Sequence, residues 1–246
     1  MTGPRSVVFN GDLGGGKTTV SVSLARRLGL RRISIGDLYR EMAAQRDMTA
    51  LEFNLHAELD DKIDHYIDQL QHDIAASGER LVVDSRLAWH FFTGALKVHL
   101  ITDPVVAARR VLGRPGDAVE AYGDVDEALR HLAERSESER QRFLTRYGVD
   151  KTRLRNYDLV CDTTRAAPDE IVARIMAHLD RPVPGPVCLL DPQRVHNDGD
   201  DASPEIVVAY RAPHFSAVRG HRALAAAARD GRSLVPMTLA DEVSVS

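Results

Sequence analysis

"NGDLGGGKTTVSV", residues 10–22, follows directly on the apolar "VVF" of residues 7–9. Val20, Leu24 and Leu28 then recur at helical spacing, so the glycine run joins a buried strand to a helix. In that setting Gly11, Gly16, Lys17 and Thr18 satisfy G-x-x-x-x-G-K-T. Gly11, Gly14, Gly15 and Gly16 let main-chain N–H groups turn inward around phosphate oxygens, and the helix N-terminus adds partial positive charge. Lys17 is placed for the β- and γ-phosphates, Thr18 for Mg²⁺, and Thr19 stands beside them in the first helical turn. A merely flexible turn would use the glycines but leave the Lys-Thr pair unexplained. The stretch predicts nucleotide binding.

The rest of the composition limits what such a protein does. At 246 residues, one large domain or a medium plus a small one are both open. A hydrophobic fraction of 43% and a charged fraction of 28% belong to an ordinary globular chain. Its apolar runs fall short of the ~20 residues that cross a bilayer, so no membrane partner is expected. A formal charge of -4 and an isoelectric point near 6.2 weigh against broad nonspecific binding to nucleic acid, although a local basic groove is compatible with them. Two cysteines, Cys161 and Cys188, and an N-terminus without an apolar signal region fit a reducing cytoplasm. His56, His65 and His72 are too widely spaced for one metal centre, so no metal other than Mg²⁺ is expected.

Strand-like and helical patterns alternate beyond the glycine run. "RRISI" (31–35), "LVVDS" (81–85), "KVHLI" (97–101) and "DLVCDT" (158–163) read as further strands, which predicts an α/β fold with a parallel sheet covered on both faces. Thr49 and Glu52 form a capping box, followed by a stripe of Leu55, Leu59, Ile63, Leu70 and Ile74 on a long helix to about Ser77. Pro168, Asp169 and Glu170 open another helix whose Ile171, Ile175 and Leu179 face inward. "DRPVPGP" at 180–186 breaks the pattern. The expected organisation is a first domain at 1–181, a linker at 182–186 and a small α+β unit at 187–246.

"GDLGGGKTTV", "SIGDLYREMA", "AELDDKIDHYID", "VVDSRLAWHF", "ERSESERQRFLTRYGVD" and "NYDLVCDTT", in this order and spacing, resemble the short, archaeal-type cytidylate kinase family over the first ~180 residues. The resemblance implies a P-loop fold with a five-stranded parallel sheet and a helical lid. It also implies ATP and Mg²⁺ as phosphoryl donor, and a pyrimidine nucleoside monophosphate as acceptor.

The residues carry that chemistry on their own terms. Phosphoryl transfer between two anions needs positioning and cations more than covalent catalysis. Arg135 and Arg142, seven apart, project from one face of a helix. "ERSESERQR" also reads as a solvated charged face, and the resemblance makes these two the lid arginines. Arg140 points about 140° away from Arg135 at 100° per residue. Asp84 ends a strand, where ligands of open α/β sheets gather, and is placed to order Mg²⁺ through water or hold the acceptor, or else to cap the next helix. Arg86 reaches the acceptor phosphate. By resemblance Ser34, Asp37 and Arg40 contact the acceptor. Asp64 and Asp68 read its sugar or base edge or are solvated. Ser85 stands where relatives often have glycine, and its bulk is expected to narrow the site. Trp89, His90 and Phe91 are expected to pack beneath the acceptor site.

"GRPGDAVEAYGDVDE" reads as a hinged lid, bordered by Arg109, Arg110 and Arg114, which touch ATP or flank a solvated helix. "LLDPQRVH" (189–196) and "FSAVRGHRALAAAARDGRSLVPM" (215–237) resemble, more weakly, the ParB/sulfiredoxin-like domain. There Gly220, His221 and Arg222 start a helix, which favours an anion such as phosphate. The reading that emerges is ATP-dependent phosphorylation of CMP or dCMP. Phosphorylation of a modified nucleotide or small metabolite, and a nucleotide-sensing regulator with a DNA- or partner-binding C-terminal unit, stand as alternatives.

Overall fold

The computed structural model describes residues 5–48, 61–113, 122–183 and 185–240. Its first elements are β1 (Val7–Gly11), α1 (Lys17–Leu28), β2 (Arg31–Ser34), α2 (Ile35–Ala44), α3 (Asp61–Ala76), β3 (Leu81–Asp84), α4 (Ala88–Phe91), β4 (Leu96–Ile101) and α5 (Pro104–Leu112). There follow α6 (Val125–Tyr147), β5 (Leu159–Asp162), α7 (Pro168–Asp180), β6 (Val187–Leu190), β7 (Val195–His196), β8 (Val207–Arg211), β9 (His214–Arg219), α8 (His221–Arg229) and β10 (Val235–Leu239).

Strands β2, β3, β1, β4 and β5 pair in that order, all parallel, as the expected five-stranded sheet. The hydrogen bonding does not stop at the proline-rich stretch. β6 joins β5 in parallel with Val187 opposite Leu159. β10 pairs antiparallel with β6, and β8, β9 and β7 follow with mixed pairing. The C-terminal unit therefore extends the same sheet.

Alternation along β1 explains why both faces are covered. Val7 and Phe9 enter a core cluster with Val20 and Leu24 of α1 and Ile171 and Ile175 of α7, while Val8 enters the opposite cluster with Trp89, Phe143 and Tyr157. The second cluster runs on without a break to Val208, Phe215 and Leu224 of the C-terminal unit. Ile35, read as the end of a strand, instead opens α2, because the Ser34 hydroxyl accepts the Asp37 N–H at 3.2 Å and so starts a helix. Thr49, Glu52, Leu55, Leu59 and the Ile63 side chain lie outside the described residues; among the described residues of α3 the buried positions are Ile67 and Gln71, with Leu70 and Ile74 only half-buried.

Leu24 is fully buried between β1 and α7. Leu24→Ala is expected to cost about 2–5 kcal/mol through lost contacts and a residual cavity. Urea unfolding checks this, with a lower midpoint and an unchanged slope.

Candidate active site

The glycine run lies where the sheet topology reverses, between β3 and β4 on either side of β1. Gly11 has φ 155, and a Cβ there would sit 2.3 Å from the Leu100 carbonyl oxygen, so only glycine lets the loop pass this close to β4. The loop is pinned there by Asp12, whose N–H donates to the Leu100 carbonyl at 2.8 Å and whose carboxylate accepts the Thr102 N–H at 3.0 Å. Sequence reasoning did not single out Asp12. Burial raises its pKa, against the lowering fields of Lys17, Arg194 and Lys151.

Gly14 and Gly15 are buried in the packing of the loop itself. Gly14 backs onto α5, where a Cβ would stand 2.8 Å from the Ala107 carbonyl oxygen. The Gly15 N–H donates to the Asp12 carbonyl at 3.1 Å, so it closes the turn and is not turned toward a ligand. Both glycines are thus required by the packing of the loop.

Helix α1 starts on Gly16 with no side-chain cap and no acidic residue in its first turn. By contrast α2, α5 and α6 are capped by Ser34, Asp103 and Asp124. The first amides of α1 are thus left without side-chain acceptors, with Thr18 and Thr19 exposed beside them. Lys17 folds back so that Nζ donates to the carbonyls of Gly11 at 2.7 Å and Asp12 at 2.9 Å. Burial pushes its ammonium down to about 8, while Asp84 pulls the other way. This cradle suits a polyphosphate and has the makings of a Mg²⁺ site in the Thr18 hydroxyl and the Asp84 carboxylate.

On one flank of the cradle Asp84 is brought level with Phe9 of β1 and Ser34 of β2. It caps no helix: α4 begins at Leu87 without a side-chain cap. Its carboxylate is held by Arg32, a residue the sequence reading passed over. The Arg32 guanidinium donates to Ser21 Oγ at 2.8 Å, to Asp37 Oδ2 at 3.2 Å and to Asp84 Oδ2 at 2.8 Å. One planar cation thereby ties α1, α2 and β3 together. Arg40, largely exposed, takes the other oxygen of Asp37. Ser34 is buried and its hydroxyl caps α2. Ser85 does not narrow the cleft as expected: its hydroxyl donates to Gln71 Oε1 at 2.7 Å and fastens β3 to α3. Trp89 is buried, with its indole N–H on the Arg86 carbonyl at 3.1 Å.

The third part of the site is a knot of charge around Glu139, which is buried near the middle of α6. Arg86 pairs with one of its oxygens, Lys151 Nζ donates to the other at 2.9 Å, and Arg135 Nε lies 3.6 Å away. Burial alone would raise the Glu139 pKa; the fields of Arg86, Lys151 and Arg135 hold it below its ordinary value. Burial lowers that of Arg86, against the raising field of Glu139, and Arg135 and Arg142 add to the lowering, so each of these two lies within electrostatic reach of Arg86. Lys17 feels Arg86 and Glu139 as well. Glu139 and Lys151 were not anticipated, although Glu139 stands four residues after Arg135, the spacing at which helical side chains meet. Arg140 turns away, as its helical angle required, onto Glu137 and Asp150.

Asp68 accepts the Tyr147 hydroxyl at 2.8 Å and lies 3.6 Å from Arg146, while the Asp64 side chain and Arg114 lie outside the described residues, as does most of the stretch read as a lid. Arg110 donates to the Thr163 carbonyl at 2.6 Å, and Arg109 is exposed. The anion expected at the start of α8 is supplied from within. The Asp201 carboxylate accepts the Gly220 N–H at 3.0 Å and the His221 N–H at 3.3 Å and pairs with the His221 ring, so the place foreseen for phosphate is filled. His221 holds the Asp201 pKa down first, and Gly220 next. No helix among the described residues is long and apolar enough to cross a membrane, and no group of three or more His, Cys, Asp or Glu side chains among them is arranged to hold a metal.

Residues 7–141 match the family described as "AAA domain". A cytidylate kinase from Pyrococcus furiosus is 37% identical over 175 residues, covering 71% of this chain and 88% of the relative. One from Halorubrum lacusprofundi is 36% identical over 176 residues, with the same 71% and 88% coverage. Among solved structures, a shikimate kinase from Bacteroides thetaiotaomicron aligns with a TM-score of 0.54 and 18% identity over 72% of this chain and 98% of that one, a likeness of fold.

Glu139→Gln removes the only negative charge from the knot it makes with Arg86, Arg135 and Lys151. The expected loss is about 2–4 kcal/mol, toward the low end for a broken buried pair because Arg86 and Arg135 are partly exposed. A carboxylate with a lowered native pKa contributes stability above its ordinary pKa of 4.5 and loses it as pH falls through the native value. Unfolding measured from pH 7 to pH 3 should therefore show the gap between wild type and variant closing in acid.

Proposed function

The chain belongs to the cytidylate kinase family, and from that premise we propose that it transfers the terminal phosphoryl group of ATP to a pyrimidine nucleoside monophosphate, CMP or dCMP. One observation carries the reading: the uncapped start of α1, with Lys17, lies within electrostatic reach of Arg86 and of the Glu139 carboxylate that Arg86 pairs with. A phosphate cradle and a separate set of arginines are what a donor and an acceptor phosphate need on either side of a migrating group.

In this mechanism the first amides of α1 bind the donor phosphates, and Lys17 exchanges its bonds to the Gly11 and Asp12 carbonyls for phosphate oxygens. Arg86, Arg135 and Arg142 stabilise the charge spread over the transferred oxygens. Ser34, Asp37, Arg40 and Asp84 frame the acceptor, with Arg32 fixing the two carboxylates. Thr18 and Asp84 would hold Mg²⁺, which would supply positive charge to offset that of the phosphates. The preference for cytosine comes with family membership. Residues 187–246, with their ParB/sulfiredoxin-like pattern, carry no second catalytic activity in this reading. Burial raises the pKa of both Cys161 and Cys188, which keeps these thiols inert and suits a cytoplasmic protein.

ADP formation from ATP and Mg²⁺ is to be followed with CMP, dCMP, UMP, AMP or no acceptor. CMP or dCMP should stimulate it most. Stimulation by none of them would move the search to unusual acceptors, and salt-sensitive DNA binding without turnover would favour a regulator. Lys17→Ala should lower kcat by about 10²–10³-fold while leaving the protein folded. Arg32→Lys keeps the charge but loses the planar fork; the KM for CMP should rise about tenfold and that for ATP stay within about twofold.

A further inference from the structure

Strand β5 ends at Asp162, and the turn after it is held from two directions. From the kinase side, the Asp103 N–H donates to Thr164 Oγ1 at 2.9 Å, and Arg110 donates to Thr163 Oγ1 at 3.0 Å and to the Thr163 carbonyl. From the C-terminal unit, Arg194 donates to Asp162 Oδ2 at 2.8 Å. Arg165, in the turn itself, makes two parallel bonds to Asp191 at 2.6 and 2.7 Å and a third to the Arg232 carbonyl at 2.7 Å. Asp162 and Asp191 are each only 1% exposed. A buried carboxylate keeps its charge only when paired in good geometry, so both arginines are fixed by what they neutralise.

This turn borders the phosphate cradle. The loop that bears Lys17 is pinned by Asp12 to Leu100 and Thr102 at the end of β4, and β4 pairs with β5. Arg194 is near enough to act on the Asp12 carboxylate. The carboxyl ends of β2 and β3 carry the charged acceptor flank. Those of β4 and β5 lie on the other side of β1, where Thr102 and Thr163 are buried and bonded to Arg110 and the Thr164 hydroxyl accepts the Asp103 N–H, which leaves that side of the cradle for the nucleoside of the donor.

We propose that the C-terminal unit is a positioning part of the donor-nucleotide site: the Arg165–Asp191 and Arg194–Asp162 pairs set the β5 turn against which the nucleoside of the donor lies. The identity of the donor rests on the function proposed above. Arg165, Asp191 and Arg194 act through the turn and touch no reacting atom. The appended residues thereby become necessary for tight donor binding, although the phosphate-binding groups all lie before them in the chain.

The test uses full-length protein, comparing wild type with Arg165→Gln, Asp191→Asn and the double variant. ATP affinity is read by calorimetry, and the KM for CMP and kcat by ADP formation. Each single variant should weaken ATP binding about tenfold, and the double variant should be no worse than the weaker single, because the pair acts as one unit. The KM for CMP and kcat should stay within about twofold of wild type. Folded variants that bind ATP as wild type does would overturn the proposal, as would parallel losses for ATP and CMP, which mark general loosening. If Asp191→Asn fails to fold, Arg165→Gln decides, its side chain being 33% exposed. A wild type that binds ATP but passes nothing to CMP sinks the proposed function and leaves the binding comparison intact.

Discussion

Cations that wait together for phosphate need an anion among them. Two unit charges about 4 Å apart near a protein surface repel by about 4 kcal/mol, enough to scatter flexible arginines into solvent. Glu139 supplies the anion: one buried carboxylate meets Arg86 from the end of β3, Arg135 from its own helix and Lys151 from beyond that helix. Its effect is to hold positive charge within electrostatic reach of Lys17. The same logic recurs on the other flank with the signs exchanged, where Arg32 holds Asp84 and Asp37 apart and in place. The charged groups of the cleft are thus held in place by one another.

What the sequence discloses follows from how far apart the cooperating residues lie in it. The cradle from Gly11 to Thr18 is legible because its parts are contiguous. The pair Arg135 and Arg142 is legible because a helix converts a spacing of seven into a shared face. Arg32 was not, since its partner Asp84 is 52 positions away, and neither was the Arg86 contact with Glu139, which spans 53. Such pairs exist only once β2, β3 and α6 have been assembled.

The C-terminal unit teaches the same point at the level of the sheet. Its strands could be read from local pattern, whereas the pairing of β6 with β5 could not, because three prolines and a glycine suggested that the chain leaves the fold there. Likewise the amides at the start of α8 invited an anion, and Asp201, some twenty residues earlier in the chain, provides it. In α1 no side chain does so, and its first turn carries no acidic residue.

The central claim is that the charge stored between Lys17 and the Glu139 knot moves a phosphoryl group from one nucleotide to another. The most direct measurement follows ATP labelled in its γ-phosphoryl group, in the presence of Mg²⁺, with and without CMP, and separates the products. The account predicts that the label appears in CDP, one for each ADP formed, with little release as inorganic phosphate. Label passing into inorganic phosphate at the same rate with and without CMP would contradict it.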